Sequence, residues 1–163
     1  MTERADSPSL SSPGSETIDT SDREIVITRL VSAPRELVFK AWTDPAHVGH
    51  WWGPKGFTNT IHEMDVRPGG VWRLTMHGPD GTDYQNKIIY REIVQPELLA
   101  YSHVSGPYFE ARVTFEAVGE KTRVTLRMLF ETAAVRNLTV EKFGAIEGGQ
   151  QTLARLDEYV AKL

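Results

Sequence analysis

A chain of 163 residues suffices for one domain and is short for two of ordinary size. A hydrophobic share of 40% and a charged share of 25% are those of a globular chain. No apolar run approaches the roughly 18 residues of a membrane span. The sequence has no cysteine, which excludes disulfides and thiolate chemistry and makes a reducing cytoplasm the expected setting. The net charge of -4 is carried entirely by residues 1–22, where Glu3, Asp6, Glu16, Asp19 and Asp22 face only Arg4. The remainder is formally neutral and offers neither the basic stripe that nucleic acid requires nor a polybasic membrane anchor.

Residues 1–22 hold six serines, two prolines and a glycine with almost no large apolar side chain. Such a segment cannot offset its own ordering entropy and is expected to be a disordered tail ahead of one domain, 23–163. Its Glu3, Arg4 and Asp6, with no apolar block, give no expectation of a secretory signal. Glu24–Leu30 reads as a β-branched strand. Ser32-Ala33-Pro34 then opens a helix carrying Leu37, Val38, Ala41 and Trp42 at helical spacing. Asp44-Pro45 opens a second short helix ending near the turn Trp51-Trp52-Gly53-Pro54.

Strand signals follow in succession. Phe57–Val66 and Val71–Met76 flank the turn Pro68-Gly69-Gly70, and Gly78-Pro79-Asp80-Gly81 turns into Asp83–Val94. Leu98–His103, Tyr108–Val118 and Thr122–Phe130 complete the set. Phe109/Ala111/Val113/Phe115 and Val124/Leu126/Met128/Phe130 alternate cleanly, as strands buried on one face do. A helix is expected from about Val135 to Lys162, with Ile146, Gly149, Leu153, Leu156, Val160 and Leu163 forming one apolar stripe. That stripe must lie on the sheet, the one large apolar surface available. The layout is α+β: an antiparallel sheet of about six to seven strands curved around a long C-terminal helix, with two short helices after the first strand.

Five segments read in order have a specific wording: Ala33-Pro34-Arg35-Glu36-Leu37-Val38, Trp42-Thr43-Asp44-Pro45, Trp51-Trp52-Gly53-Pro54, Met64-Asp65-Val66-Arg67-Pro68-Gly69-Gly70 and Tyr90-Arg91-Glu92-Ile93-Val94. Across about residues 24–162 the chain resembles the family named after the activator of the heat-shock-protein-90 ATPase, a branch of the START-like (SRPBCC) superfamily. The resemblance implies a helix-grip fold with a cavity between sheet and last helix. Its members are variously apolar-ligand carriers, cyclase- or hydrolase-like enzymes and cochaperone domains. Such chains usually carry Gly-Trp on the last helix, where this one has Gly148-Gly149. Two readings stand: a widened or kinked cavity, or a neighbour such as Phe143 or one of Trp51 and Trp52 filling the space. His103 replaces the usual aromatic residue in register with Leu99 and Tyr101.

Few constellations point to chemistry. His47 and His50 stand three apart with no carboxylate or third histidine nearby, so no metal is expected. No Gly-x-Ser-x-Gly elbow occurs, and Gly69-Gly70 and Gly148-Gly149 form neither a phosphate loop nor a dinucleotide fingerprint. No cofactor and no catalytic residue are therefore assigned. Trp51 and Trp52 have two readings, a stacking lid at the cavity mouth or a core plug beside an outer packer.

The expected function is binding of a small apolar or aromatic ligand in a cavity of roughly 300–1,000 Å³. The expected lining is Trp52, Trp72, Leu74, Met76, Tyr84, Asn86, Tyr101, His103, Phe109, Val113, Met128 and Phe130, with Phe143, Ile146, Glu147 and Gly149 from the helix. An enzyme using the same cavity, with His103 or Glu147 moving a proton, is the first alternative. A cochaperone-type regulator of a heat-shock ATPase is the second. A homodimer is left open.

Overall fold

A computed structural model describes residues 19–163, so the expected tail falls outside the described residues up to position 18. The first described residues include one 3-10 turn, Ser21–Arg23. β1 (Glu24–Val31) leads into α1 (Arg35–Thr43) and α2 (Pro45–Val48). Six strands follow: β2 (Thr58–Met64), β3 (Val71–His77), β4 (Asp83–Val94), β5 (Leu98–His103), β6 (Phe109–Val118) and β7 (Lys121–Phe130). The helices α3 (Ala133–Phe143) and α4 (Ala145–Val160) come last.

The helix starts follow from local chemistry. Pro34, with φ already at -67°, precedes α1. The Asp44 carboxylate accepts from the Ala46 N–H at 2.9 Å and caps α2. The Thr132 hydroxyl accepts from the Val135 N–H at 3.1 Å and caps α3.

The strands form a single antiparallel sheet in the order β1-β7-β6-β5-β4-β3-β2. Because β1 and β2 occupy opposite edges, the segment bearing α1 and α2 must cross the whole sheet. Bulges between Ile61 and Glu63 and between Tyr90 and Glu92 bend the strands. The β2–β3 turn admits only glycine at position 70, where a Cβ would lie 1.9 Å from the Asp65 carbonyl oxygen. On the inner face, register places Tyr101 between Tyr90 and Ala111, His103 between Ile88 and Phe109, and Leu99 beside Val113.

The expected single C-terminal helix is two helices. Gly144 adopts φ 58°, ψ 43°, the left-handed conformation, and its N–H donates to the Val140 carbonyl at 3.0 Å, ending α3 and restarting the chain as α4. An L-residue there would carry a penalty of roughly 1–2 kcal/mol. The expected stripe lies on α4, where Leu153, Leu156 and Val160 are buried, while Leu163, beyond the helix, is exposed. This is the helix-grip arrangement, with α4 lying against the inner side of β1.

Candidate functional site

The inner face of the sheet carries an almost wholly aromatic and aliphatic surface: Trp72, Leu74, Ile88, Tyr90, Tyr101 and Phe130 are buried on it. The segment crossing from α1 to β2 adds three more tryptophans. The Trp51 ring is fully buried, and its Nε1–H donates to the Ala41 carbonyl at 3.0 Å. Trp42 meets Trp51 edge-on at 5.0 Å and Trp52 at 5.7 Å, and Trp52 meets Trp72 at 4.9 Å. Trp51 is thus a core plug. Trp52 is partly exposed and stands between Trp42 and Trp72.

Among the described residues, four buried side-chain atoms have no hydrogen-bond partner: Trp42 Nε1, Trp72 Nε1, the Tyr90 hydroxyl and Asn59 Oδ1. Native interiors rarely leave such groups unpaired, because each forfeits its hydration, at about 1–3 kcal/mol. Two of them belong to the rings flanking Trp52, and Tyr90 is on the same face of β4 as Ile88, the cross-strand partner of Trp72. Burial pushes the Tyr90 phenol above its ordinary pKa, with the neighbouring Tyr101 adding to the shift, and burial raises Tyr101 likewise.

His103 is also buried, stacked on Phe109 with centroids 4.6 Å apart. Its Nδ1 lies 2.8 Å from the Pro107 carbonyl oxygen and its Nε2 lies 2.7 Å from the Asn86 side-chain oxygen. A neutral imidazole has one N–H, so the ring satisfies both contacts only with the Asn86 amide turned to donate. Burial holds the ring below its ordinary pKa, against the opposing effect of the Pro107 bond. Both ring nitrogens are engaged, which leaves no lone pair for a substrate proton.

The expected lining residues divide into three groups. Trp72, Leu74, Tyr101, His103, Val113, Met128 and Phe130 are buried on the inner face. Trp52, Met76, Asn86, Phe109, Ile146 and Gly149 are partly buried at its margins. Tyr84, Phe143 and Glu147 are exposed, so these three do not occupy the inward positions expected of them. The break at Gly144 takes Phe143 out of phase with α4, while Glu147 lies within α4, next to Ile146 and off its stripe. Tyr84 stands at the turn end of the β3–β4 hairpin, paired with Met76 and beside Phe57.

Gly149 faces inward, but it does not widen a cavity. A Cβ there would lie 2.1 Å from Ile27 Cδ1. The space is filled by a neighbour, as one reading expected, and the neighbour is Ile27 of β1 rather than Phe143, Trp51 or Trp52. The missing side chain lets α4 close directly onto the strand.

Arg155 carried no signal in the sequence. From α4 its guanidinium donates to the carbonyls of His50, Trp52, Gly53, Pro54 and Phe57, at 2.9 to 3.3 Å. Asn59 Nδ2 donates to the same Trp52 carbonyl at 2.9 Å and to Gly49 at 3.1 Å. The backbone at Trp52 is therefore held twice, and its ring packs on those of Trp42, Trp51 and Trp72. A surface groove of about 370 Å³ opens on this segment, lined in part by His50, Phe57, Asn59, Ile61 and Arg155. Trp42 and Tyr90 were the other omissions. Tyr90 had a signal, since it continues the alternation Tyr84, Asn86, Ile88. Trp42 read only as a core residue of α1.

No group of three or more His, Cys, Asp or Glu suited to a metal occurs among the described residues. No helix among them is long and apolar enough to cross a membrane.

A curved antiparallel sheet closed over a terminal helix defines the helix-grip class. Within it, the chain belongs to the family described as activator of Hsp90 ATPase homolog 1-like protein, whose profile matches residues 32–161. Solved structures agree on the fold. A protein from Arthrobacter aurescens is 22% identical at a TM-score of 0.81, with 93% of this chain and 94% of that one covered. One from Nitrosomonas europaea is 24% identical at 0.78, with 89% and 97% covered. An AHSA1-like protein from Aeromonas hydrophila is 22% identical at 0.69, with 85% and 92% covered. A search of curated proteins found no match.

Proposed function

We propose that this protein binds a small, largely apolar aromatic molecule on the inner face of the sheet, beneath Trp52 and beside α4. The observation that supports the reading most is the set of unpaired polar groups, Trp42 Nε1, Trp72 Nε1 and the Tyr90 hydroxyl, inside an otherwise aromatic core. A bound molecule supplying their partners would remove a penalty that the ligand-free fold carries. Binding is favoured over proton-transfer catalysis because neither expected catalytic group is poised for it. The His103 nitrogens face Asn86 and Pro107, and Glu147 is exposed.

Native mass spectrometry of gently purified protein, set against its denatured mass, tests the reading. A reproducible excess of a few hundred daltons that disappears on denaturation is the expected result. A bare protein peak, together with failure of aromatic probes to shift the thermal midpoint, would overturn it.

A further inference from the structure

The groove at the free edge of the sheet is a space apart from the inner face, lined neither by Tyr90 nor by any tryptophan. β2 is the last strand, so no neighbouring strand closes this side. The groove holds about 370 Å³, toward the small end of ligand sites. Pro45, Phe57 and Ile61 give it an apolar wall. Its lining has one cation, Arg155, and no Asp or Glu. A guanidinium has N–H groups on all three of its nitrogens. Those on the two Nη atoms serve the carbonyls of residues 50–57, and the Nε–H has no partner among the described residues. Carbonyls carry no formal charge, so the cation is not neutralised, and among the described residues no carboxylate stands within ion-pair distance of it. Partial burial makes that charge costly, and the exposed Glu158 on α4 offsets only part of the cost.

Two further groups on the groove wall can donate. The His50 ring lies flat on Tyr159, with planes 9° apart and centroids 5.7 Å apart. Its carbonyl accepts from Arg155, while neither ring nitrogen has a partner among the described residues. The Thr58 hydroxyl, exposed on β2, is likewise without one. Asn59 adds nothing, because its amide N–H groups go to the Gly49 and Trp52 carbonyls and its oxygen is closed off from solvent. An uncompensated cation, donors without acceptors and an apolar wall suit an anion with an apolar body, whereas an ammonium would meet Arg155 as a like charge. We propose that this groove binds a small aromatic carboxylate, its ring against Phe57 and Ile61 and its charge beside Arg155, with His50 and Thr58 as donors.

The test titrates the full chain with 2-naphthoate, its neutral isostere 2-naphthamide and 2-naphthylmethylammonium, followed in ¹⁵N–¹H correlation spectra. The backbone amides of His50, Phe57, Thr58, Asn59 and Ile61 report the groove, and the Trp42 and Trp72 indole signals report the inner face in the same spectra. 2-Naphthoate is expected to shift the groove amides and to bind there at least about fivefold tighter than 2-naphthamide, with the ammonium weakest. Thr58→Asp places a carboxylate on the wall at an exposed position. It should weaken 2-naphthoate by at least about tenfold and leave 2-naphthamide within about threefold. His50→Phe keeps a ring on Tyr159 without the N–H, and should weaken 2-naphthoate by about threefold. Equal affinity for the three probes, no groove shifts at millimolar probe, or 2-naphthoate binding untouched by both substitutions would each overturn the inference. Shifts confined to Trp42 and Trp72 would put the probe on the inner face, leaving the function proposed above standing and removing this site alone.

Discussion

Replacing Tyr90 by Phe separates an unpaired hydroxyl from one that has a partner. Tyr90 is 1% exposed, its ring packs on the inner face, and its hydroxyl has no partner among the described residues. Phenylalanine keeps the ring and removes only the oxygen. If the hydroxyl is unpaired in the ligand-free protein, the substitution relieves a desolvation cost of about 1–3 kcal/mol. For a domain of this size each kcal/mol moves the thermal midpoint by about 2–4 °C. The measurement is differential scanning calorimetry at pH 7 on protein stripped of ligand by unfolding and refolding. Tyr90→Phe should unfold at least about 2 °C above the wild type, while losing affinity for the ligand. A fall of that size would show instead that the hydroxyl is already hydrogen-bonded, for example to a buried water. The same substitution in protein carrying its ligand should be destabilising, so the sign of the effect should invert with occupancy.

Three other perturbations follow from particular contacts. Gly149→Ala gains about 1 kcal/mol of helix propensity but forces a methyl onto Ile27, an overpacking cost of about 1–3 kcal/mol. Adding Ile27→Val removes the clashing Cδ1, so by urea unfolding the double variant should be no less stable than Ile27→Val alone; additive losses would contradict the contact. Arg155→Met should cost about 2–4 kcal/mol through loss of charge-assisted bonds to five carbonyls. It should also speed hydrogen exchange across residues 50–57, and unchanged exchange there would show that Arg155 does not organise the segment. For His103, burial holds the folded pKa below the ordinary 6.5, so the unfolded chain binds more protons as pH falls. Its contribution to stability is complete above about pH 6.5 and declines as pH drops through the folded value, with a slope of at most about 1.4 kcal/mol per pH unit. His103→Gln should flatten that part of the stability curve, and an unchanged slope would place the effect elsewhere.

What the sequence made legible was whatever repeats at short range. Alternation marked β6 and β7 because one face of each is buried, and Pro34, Asp44-Pro45 and Gly69-Gly70 punctuated the chain where local dihedral preferences dictate. The break at Gly144 escaped because the apolar stripe begins only at Ile146, beyond it, and a single left-handed residue leaves no mark on periodicity. The Gly149–Ile27 contact, the Arg155 clamp and the division of labour between Trp51 and Trp52 all join residues far apart in the chain. No local pattern encodes those pairings. Phe143 was misplaced because its helical phase was counted across the break.

The most direct measurement is the indole region of a ¹⁵N–¹H correlation spectrum during addition of 2-naphthol to the full chain, with each signal assigned by a Trp→Phe substitution. The N–H of Trp51, tied to the Ala41 carbonyl at 3.0 Å, should stay in place. Those of Trp42 and Trp72, unpaired in the ligand-free protein, should move downfield together and saturate with the binding isotherm. Stationary Trp42 and Trp72 signals under saturating probe, or a Trp51 signal that moves as far as theirs, would contradict a ligand held on the inner face of the sheet.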